Sequence, residues 1–146
     1  MLRATIGLGL KRARLENVYA VLRGRDANTG QDDPAKRDEQ FALMRTAQER
    51  SLNLANWHHF LSALTLAGYR GEKMISSQTA VIYSYVLYLI GTCNFGVDKA
   101  KMRQAIAEFF FMAALTGRYT TSPETRFESD LAQIREIETG TDYLAR

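Results

Sequence analysis

The residues best suited to metal chemistry are two adjacent histidines, His58 and His59, the only histidines in the chain. Imidazoles bind zinc together when they share one face of a helix, as residues four apart do. Adjacent helical residues point about 100° apart, so these two are poorly placed to hold one ion. The single cysteine, Cys93, excludes an internal disulfide and a cysteine-based zinc site. We therefore predict no metal and no cofactor.

Two further side chains could do chemistry, but each has a simpler interpretation. Glu108 stands beside three phenylalanines, where burial would favour its protonated form and suit acid–base catalysis. It also points about 100° away from Phe109 on a helix, which favours a position at the boundary of the core. Cys93 would need a distant base to act as a nucleophile, and a small buried apolar residue or inert surface thiol explains it better. We predict that the chain is not an enzyme.

Positive charge is concentrated at the amino-terminal end. Of residues 1–25, six are basic and one, Glu16, is acidic, a net of +5 (6 − 1), whereas the whole chain carries +3. A solvated charged surface is one interpretation. The other is weak, sequence-independent DNA binding through Lys11, Arg12 and Arg14, with about five or six phosphates neutralised and steep weakening by salt.

Boundary signals divide most of the chain into helices. Residues that can cap a helix start occur at four points: Asp33-Pro34, Asn53, Ser76-Ser77 and Asp98. Gly68 and Gly91 are typical of helix ends. Apolar residues recur between these signals at helical spacing. The predicted inner faces are Phe41, Met44, Ala47 and Leu52; Trp57, Phe60, Leu61 and Leu64; Met102, Ile106, Phe109, Phe110 and Ala113; and Phe127, Leu131, Ile134 and Ile137 or Glu138.

The segment Ala80–Ile90 is apolar on nearly every side, which predicts a helix surrounded by others. Its tyrosines, Tyr83, Tyr85 and Tyr88, are then core residues more readily than base-stacking ones. The segment is shorter than the roughly 18 residues of a membrane span. We predict a cytoplasmic, all-α, single-domain helical bundle of about five or six helices over residues 1–146, with no membrane contact and an exposed loop at 24–33.

The sharpest boundary lies between two helices near the carboxyl-terminal end. Gly117-Arg118-Tyr119 places a glycine where a helix ends in left-handed geometry. Ser122-Pro123-Glu124 predicts the restart, with an N-cap hydroxyl, a proline in the first position and an acidic side chain near the positive helix end. Arg118 would cap the last carbonyls, or reach a carboxylate or phosphate. We interpret these six residues as a structural corner.

The first ten residues are mostly apolar: Leu2, Ile6, Leu8 and Leu10. Gly7 and Gly9 interrupt any helix they form, and Met1 enters in the middle of an element. We therefore expect a fragment of a longer architecture. An apolar patch left uncovered is readily buried by a second copy, which predicts a homodimer through this segment and the outer face of residues 80–90.

Three stretches together carry a family resemblance: Asn53–Gly91, Phe95–Asp98 and Ile106–Ile134. They resemble the helical region of GmrSD-type restriction endonucleases, bacterial defence proteins that act on modified foreign DNA. The likeness extends over roughly residues 10–137. Its most specific parts are Met74-Ile75-Ser76-Ser77 and the stretch Phe110–Glu124, and none of them is a catalytic motif.

The resemblance implies a scaffold without its catalytic modules. In the family a ParB-like module with an Asp-Gly-Gln-Gln-Arg loop lies upstream and a His-Asn-His (HNH) nuclease lies downstream; this sequence contains neither motif. The first interpretation is thus a non-catalytic helical module, or truncated relative, of a restriction protein, with a separately encoded ParB-like or HNH module as possible partner. The alternative is a stand-alone helical interaction or oligomerisation protein.

Overall fold

The computed structural model describes residues 2–25, 31–75 and 77–145, and within them the chain forms eight α-helices and no strand. The helices are α1 (Leu2–Leu10), α2 (Leu15–Leu22), α3 (Pro34–Leu52), α4 (Leu54–Leu66), α5 (Gln78–Leu89), α6 (Lys99–Leu115), α7 (Pro123–Arg135) and α8 (Gly140–Ala145). The all-α prediction is confirmed. The two short terminal helices, α1 and α8, bring the number above the expected five or six.

The helix starts follow the predicted caps. Carboxylate, amide or hydroxyl oxygens accept hydrogen bonds from the first free amides at four points: Asp33 from Ala35, Asn53 from Ala55, Ser77 from Ala80 and Asp98 from Ala100. Ser76, the alternative cap beside Ser77, lies outside the described residues. Each of these bonds satisfies an amide that has no partner inside its own helix.

The core is built around α5. Tyr83, Tyr85 and Tyr88 are almost fully buried in it, as predicted. The Tyr85 hydroxyl donates to the Ser51 carbonyl oxygen over 3.0 Å. The predicted end at Gly91 is wrong, because the chain continues as a π-helical turn over Ile90–Asn94. There Gly91 is buried, and a side chain on it would meet Met102 and Tyr143.

The amino-terminal helix α1 belongs to the core, which corrects the prediction of an uncovered segment. It packs against α3 and α5, and Ile6, Leu8 and Leu10 are buried, while Leu2 at its start is 67% exposed. The expected homodimer interface through this apolar face is therefore wrong, because the chain's own helices cover it. The residues of α5 are likewise buried from Tyr83 onward.

Helical spacing predicted which faces of the helices point inward, but not how deeply each residue on them is buried. Ala47 and Ser51 of α3 are buried, whereas the predicted Phe41 and Leu52 are about half exposed, because α3 packs on α1 through its small residues. Leu61 of α4 is exposed as well. On α6 and α7 the predicted faces are confirmed: Met102, Ile106, Phe110, Ala113, Phe127, Leu131 and Ile134 are buried, and Phe109 is half-buried. Ile137, which is also half-buried, lies just beyond the end of α7.

Of the predicted exposed loop at 24–33, residues 26–30 lie outside the described part of the chain. At its ends Arg25 and Asp32 form an antiparallel bridge, and Gly24 is buried rather than exposed. Across the described ranges, no helix combines the length and the hydropathy that crossing a bilayer requires.

Candidate functional site

The predicted basic residues lie in the connector between α1 and α2, residues 11–14. Lys11 has left-handed backbone geometry (φ 49°), a conformation that is uncommon for a residue with a side chain. Its carbonyl oxygen accepts a hydrogen bond from the Arg135 guanidinium at 2.6 Å. The connector is thus fixed against α7, which is distant in sequence.

A carboxylate of α7, Glu128, holds this connector in place. Its Oε2 accepts hydrogen bonds from the amides of Ala13 (2.6 Å) and Arg14 (3.1 Å). Its Oε1 accepts from Nη1 of Arg12 at 3.1 Å and lies 3.6 Å from Nη1 of Arg135. Because two amides of the connector and two guanidinium groups converge on it, the Glu128 side chain acts as an internal anion.

Burial alone would raise the pKa of Glu128, but the hydrogen bonds from Ala13, Arg14 and Arg12 outweigh it and lower that pKa. The lowered pKa shows that the protein favours the charged carboxylate at this point. Glu128 and Arg135 are the residues that sequence reasoning missed. Their spacing of seven places them on one side of α7, but nothing in the sequence pairs that side with residues 11–14.

Lys11 and Arg135 bring two positive charges together. The Lys11 ammonium lies 5.5 Å from the centre of the Phe95 ring, a cation–π contact. Burial, followed by the charge of Arg135, lowers the pKa of Lys11. Around the connector, Lys11, Arg12, Arg14 and Arg135 carry four positive charges and Glu16 and Glu128 two negative ones, an excess of +2 (4 − 2). This surface is able to attract a further anion.

The predicted corner at the end of α6 is confirmed at Gly117. This glycine has φ 63°, and the amides of Gly117 and Arg118 donate to the carbonyl oxygens of Ala114 (3.3 Å) and Ala113 (2.9 Å). This pair of bonds is the Schellman motif, which satisfies the last free carbonyls of a helix. Glycine suits the position because left-handed geometry costs it little.

The Arg118 side chain does not cap those carbonyls and instead binds a carboxylate of α7. Its Nη2 and Nε donate to Asp130 at 2.5 and 3.4 Å, and the buried Tyr119 hydroxyl donates to the same carboxylate at 2.6 Å. Desolvation, then the hydrogen bond to Asp130, raises the pKa of Tyr119 far above its usual value. These hydrogen bonds fix the segment that follows α6 against the second helical turn of α7.

The restart at Ser122 differs from its prediction. Ser122 has left-handed geometry (φ 50°, ψ 54°), and its hydroxyl makes no capping hydrogen bond, so the expected N-cap is wrong. Pro123 occupies the first helical position as predicted. Glu124, in the first turn, pairs with Arg3 of α1, and Arg3 also donates to the Tyr83 hydroxyl. The corner therefore contacts the amino-terminal helix through an ion pair.

The residues with catalytic potential are not brought together. His58 and His59 are exposed on α4, where His59 Nδ1 contacts the Ala55 carbonyl oxygen. Glu108 is exposed and accepts from Gln104, so it lies farther from the core than the predicted boundary position. Cys93 is half-buried in the π-helical turn. No group of three or more His, Cys, Asp or Glu residues with metal-site geometry occurs in the described ranges.

The two constellations are therefore a positively charged connector held by Glu128 and a structural corner held by Asp130. Comparison of the chain with protein-family models, with curated proteins and with solved structures gives no significant match.

Proposed function

We propose that this chain is a non-catalytic helical module of a bacterial modification-dependent DNA restriction protein, and that it contacts DNA phosphates through the α1–α2 connector. The resemblance of its helical stretches to GmrSD-type proteins motivates the biological role. The observation that carries the DNA contact is the excess of positive charge around Lys11, Arg14 and Arg135. A ParB-like or HNH module would supply the chemistry.

The geometry reduces the number of phosphate contacts that composition implies. Among the basic residues of the first 25, Arg3 pairs with Glu124, Arg12 with Glu128 and Arg23 with Asp32. Arg135 is added from α7. Lys11, Arg14 and Arg135 are then the side chains best placed for phosphates, although Arg14 also approaches Glu16 at 3.8 Å and Arg135 approaches Glu128 at 3.6 Å. Three contacts give weak binding, because each supplies one released counterion.

We expect a labelled DNA duplex to bind with a log K that falls against log salt at a slope of about −2.7, about −0.9 for each of three contacts. The double variant Lys11→Gln/Arg14→Gln should reduce the slope to about −0.9, since both backbone positions stay and only the side-chain charges go. Fluorescence anisotropy at several salt concentrations measures this slope for the wild type and the variant.

The matched control is Arg70→Gln/Lys73→Gln, which removes two exposed charges from the α4–α5 connector and should leave most of the slope intact. Binding that ignores salt, or a slope that the Lys11→Gln/Arg14→Gln variant leaves unchanged, would contradict the DNA contact.

Self-association is a second candidate, now on a different surface from the one predicted. Phe111 and Leu115, four residues apart on α6, are 48% and 70% exposed, and Leu54 and Leu61 are exposed on α4, which packs against α6. We expect sedimentation at micromolar concentration to show a dimer that Phe111→Gln/Leu115→Gln converts to monomer, whereas Leu52→Gln on α3 does not. A wild-type monomer would rule this candidate out.

A further inference from the structure

A pocket of about 170 Å³ lies where α6, α7 and α8 meet, and none of residues 11–14 of the basic connector lines it. Most of the side chains that line it are apolar: Leu87, Met102, Ile106, Phe109, Ile134 and Ile137. Met102, Ile106 and Ile134 are at most 7% exposed, so the floor of the pocket belongs to the packed core. An apolar cavity of about 150 Å³ accommodates benzene, and this pocket has the size for one aromatic ring.

One edge of the pocket is polar. Arg118, Asp130 and Gln133 line it there. Arg118 uses Nε and Nη2 on Asp130, and a guanidinium has five N–H groups in all. Several donors of Arg118 therefore remain for an acceptor oxygen at the same edge. The Asp130 carboxylate is 12% exposed and already accepts from Tyr119.

The charges at this edge select a neutral ligand. Arg118 and Asp130 form an ion pair with no net charge. An anionic ligand next to Arg118 would also lie next to the Asp130 carboxylate, and a cationic one would lie next to the guanidinium. Like charges brought together in a partly desolvated site are unfavourable. A neutral carbonyl can accept from Arg118 without either penalty.

Helix α8 forms another wall of the pocket, and Tyr143 anchors it to α5 and Phe95. The Tyr143 hydroxyl donates to the Leu87 carbonyl oxygen at 2.6 Å, and its ring stacks on Phe95 with centres 5.0 Å apart. Leu144, next in sequence, lines the pocket and is 38% exposed. This wall thus combines the fixed ring of Tyr143 with the solvent-accessible side chain of Leu144, so the pocket has a defined shape and is open to a ligand from solvent.

We propose that this pocket binds a small neutral aromatic molecule that carries one carbonyl or amide oxygen, with the ring between Ile106 and Ile134 and the oxygen at Arg118. Apolar walls with a few convergent polar groups are typical of small-molecule sites. The pocket shares no lining residue with the proposed DNA contact.

The probes are benzamide, benzoate and benzylammonium, which have one ring each and differ in charge. Titration of the methyl-labelled full chain, followed by NMR, should show saturable shifts of the Met102, Ile106 and Ile134 methyl groups with benzamide, at a dissociation constant on the order of 1 mM. Benzoate and benzylammonium should each bind more weakly than benzamide, by a factor of roughly ten or more. Equal or tighter binding of either charged probe would overturn the neutral-ligand proposal.

Filling the pocket provides the decisive variant. Ala105 lines it and is half-buried, so Ala105→Leu should abolish the benzamide shifts, while Ala100→Leu, exposed on the same helix, should preserve them. If Ala105→Leu lowers the melting temperature, Gln133→Phe covers the mouth from an exposed position and should have the same effect on binding. No saturable shift in the wild type, or shifts that persist in a folded filled variant, would refute the site.

Discussion

Replacing Glu128 by glutamine should lower the free energy of unfolding by about 1.5–3 kcal/mol, the range for hydrogen bonds to a charged group. The carboxylate accepts from the amides of Ala13 and Arg14 and from the Arg12 guanidinium, and its side chain is 14% exposed. A glutamine has one acceptor oxygen, and its NH₂ group would face N–H donors. Chemical denaturation at neutral pH measures the loss.

The same interaction makes stability depend on pH in a predictable direction. Because the folded pKa of Glu128 is lowered, the stabilisation is fully present above the unfolded pKa, about 4.3 for glutamate. It is lost as pH falls below that value and through the folded pKa, since the unfolded chain then binds the proton more readily. The difference in unfolding free energy between wild type and Glu128→Gln should therefore shrink in acid.

An exposed carboxylate gives the control. Glu108→Gln, on the outer side of α6, should change the unfolding free energy by less than about 0.5 kcal/mol. Equal stability of wild type and Glu128→Gln at neutral pH would mean that the connector is held by other contacts. A difference that stays constant from neutral pH down to strong acid would instead assign the effect to shape and not to charge.

The boundaries that could be predicted from the sequence are those set by local chemistry. Asp33, Asn53 and Asp98 cap helices because a side-chain oxygen lies within three residues of the amides that it accepts from. Gly117 ends α6 because its own backbone permits left-handed geometry. Both effects act within one helical turn. A short sequence pattern therefore includes all the residues involved and can predict the boundary.

The contacts that could not be predicted join residues far apart in the chain. Glu128 and Ala13 are separated by 115 positions, and no spacing rule connects them. Ser122 was expected to cap α7, but the chain enters the helix in left-handed geometry with Glu124 paired to Arg3. Tertiary packing overrode the local preference at that point, as it also did at Gly91, where the π-helical turn Ile90–Asn94 carries the chain past a glycine that favours a helix end.

The glycines of α1 explain why the sequence predicted an interrupted helix over the first ten residues. Gly7 and Gly9 suggest an interrupted element, since glycine lowers helix stability by about 1 kcal/mol relative to alanine. In the fold these two glycines allow α1 to pack closely against α5 and α3. A Cβ on Gly7 would lie 2.8 and 3.2 Å from the two methyl carbons of Val86, which is fully buried on α5, and one on Gly9 would lie 3.0 Å from the Cβ of Ala47.

Gly7→Ala should therefore destabilise the protein, even though alanine is the better helix former. Overpacking of a tight core costs about 1–3 kcal/mol, and the stiff, β-branched Val86 cannot easily turn its methyl groups away. The control is Gly71→Ala, where a Cβ would meet nothing within 4 Å, so its unfolding free energy should stay within about 0.5 kcal/mol of the wild type.

A double-mutant cycle separates the clash from any other effect of the alanine. Val86→Ala removes the two methyl carbons that the new Cβ would meet, so Gly7→Ala should cost little in that background and should even recover part of the helix preference of alanine. We expect a coupling free energy of about 1–2 kcal/mol between the two positions, measured by denaturant unfolding of the wild type, both single variants and the double variant. Additive losses would show that the packing of α1 does not depend on close contact with α5 at Gly7.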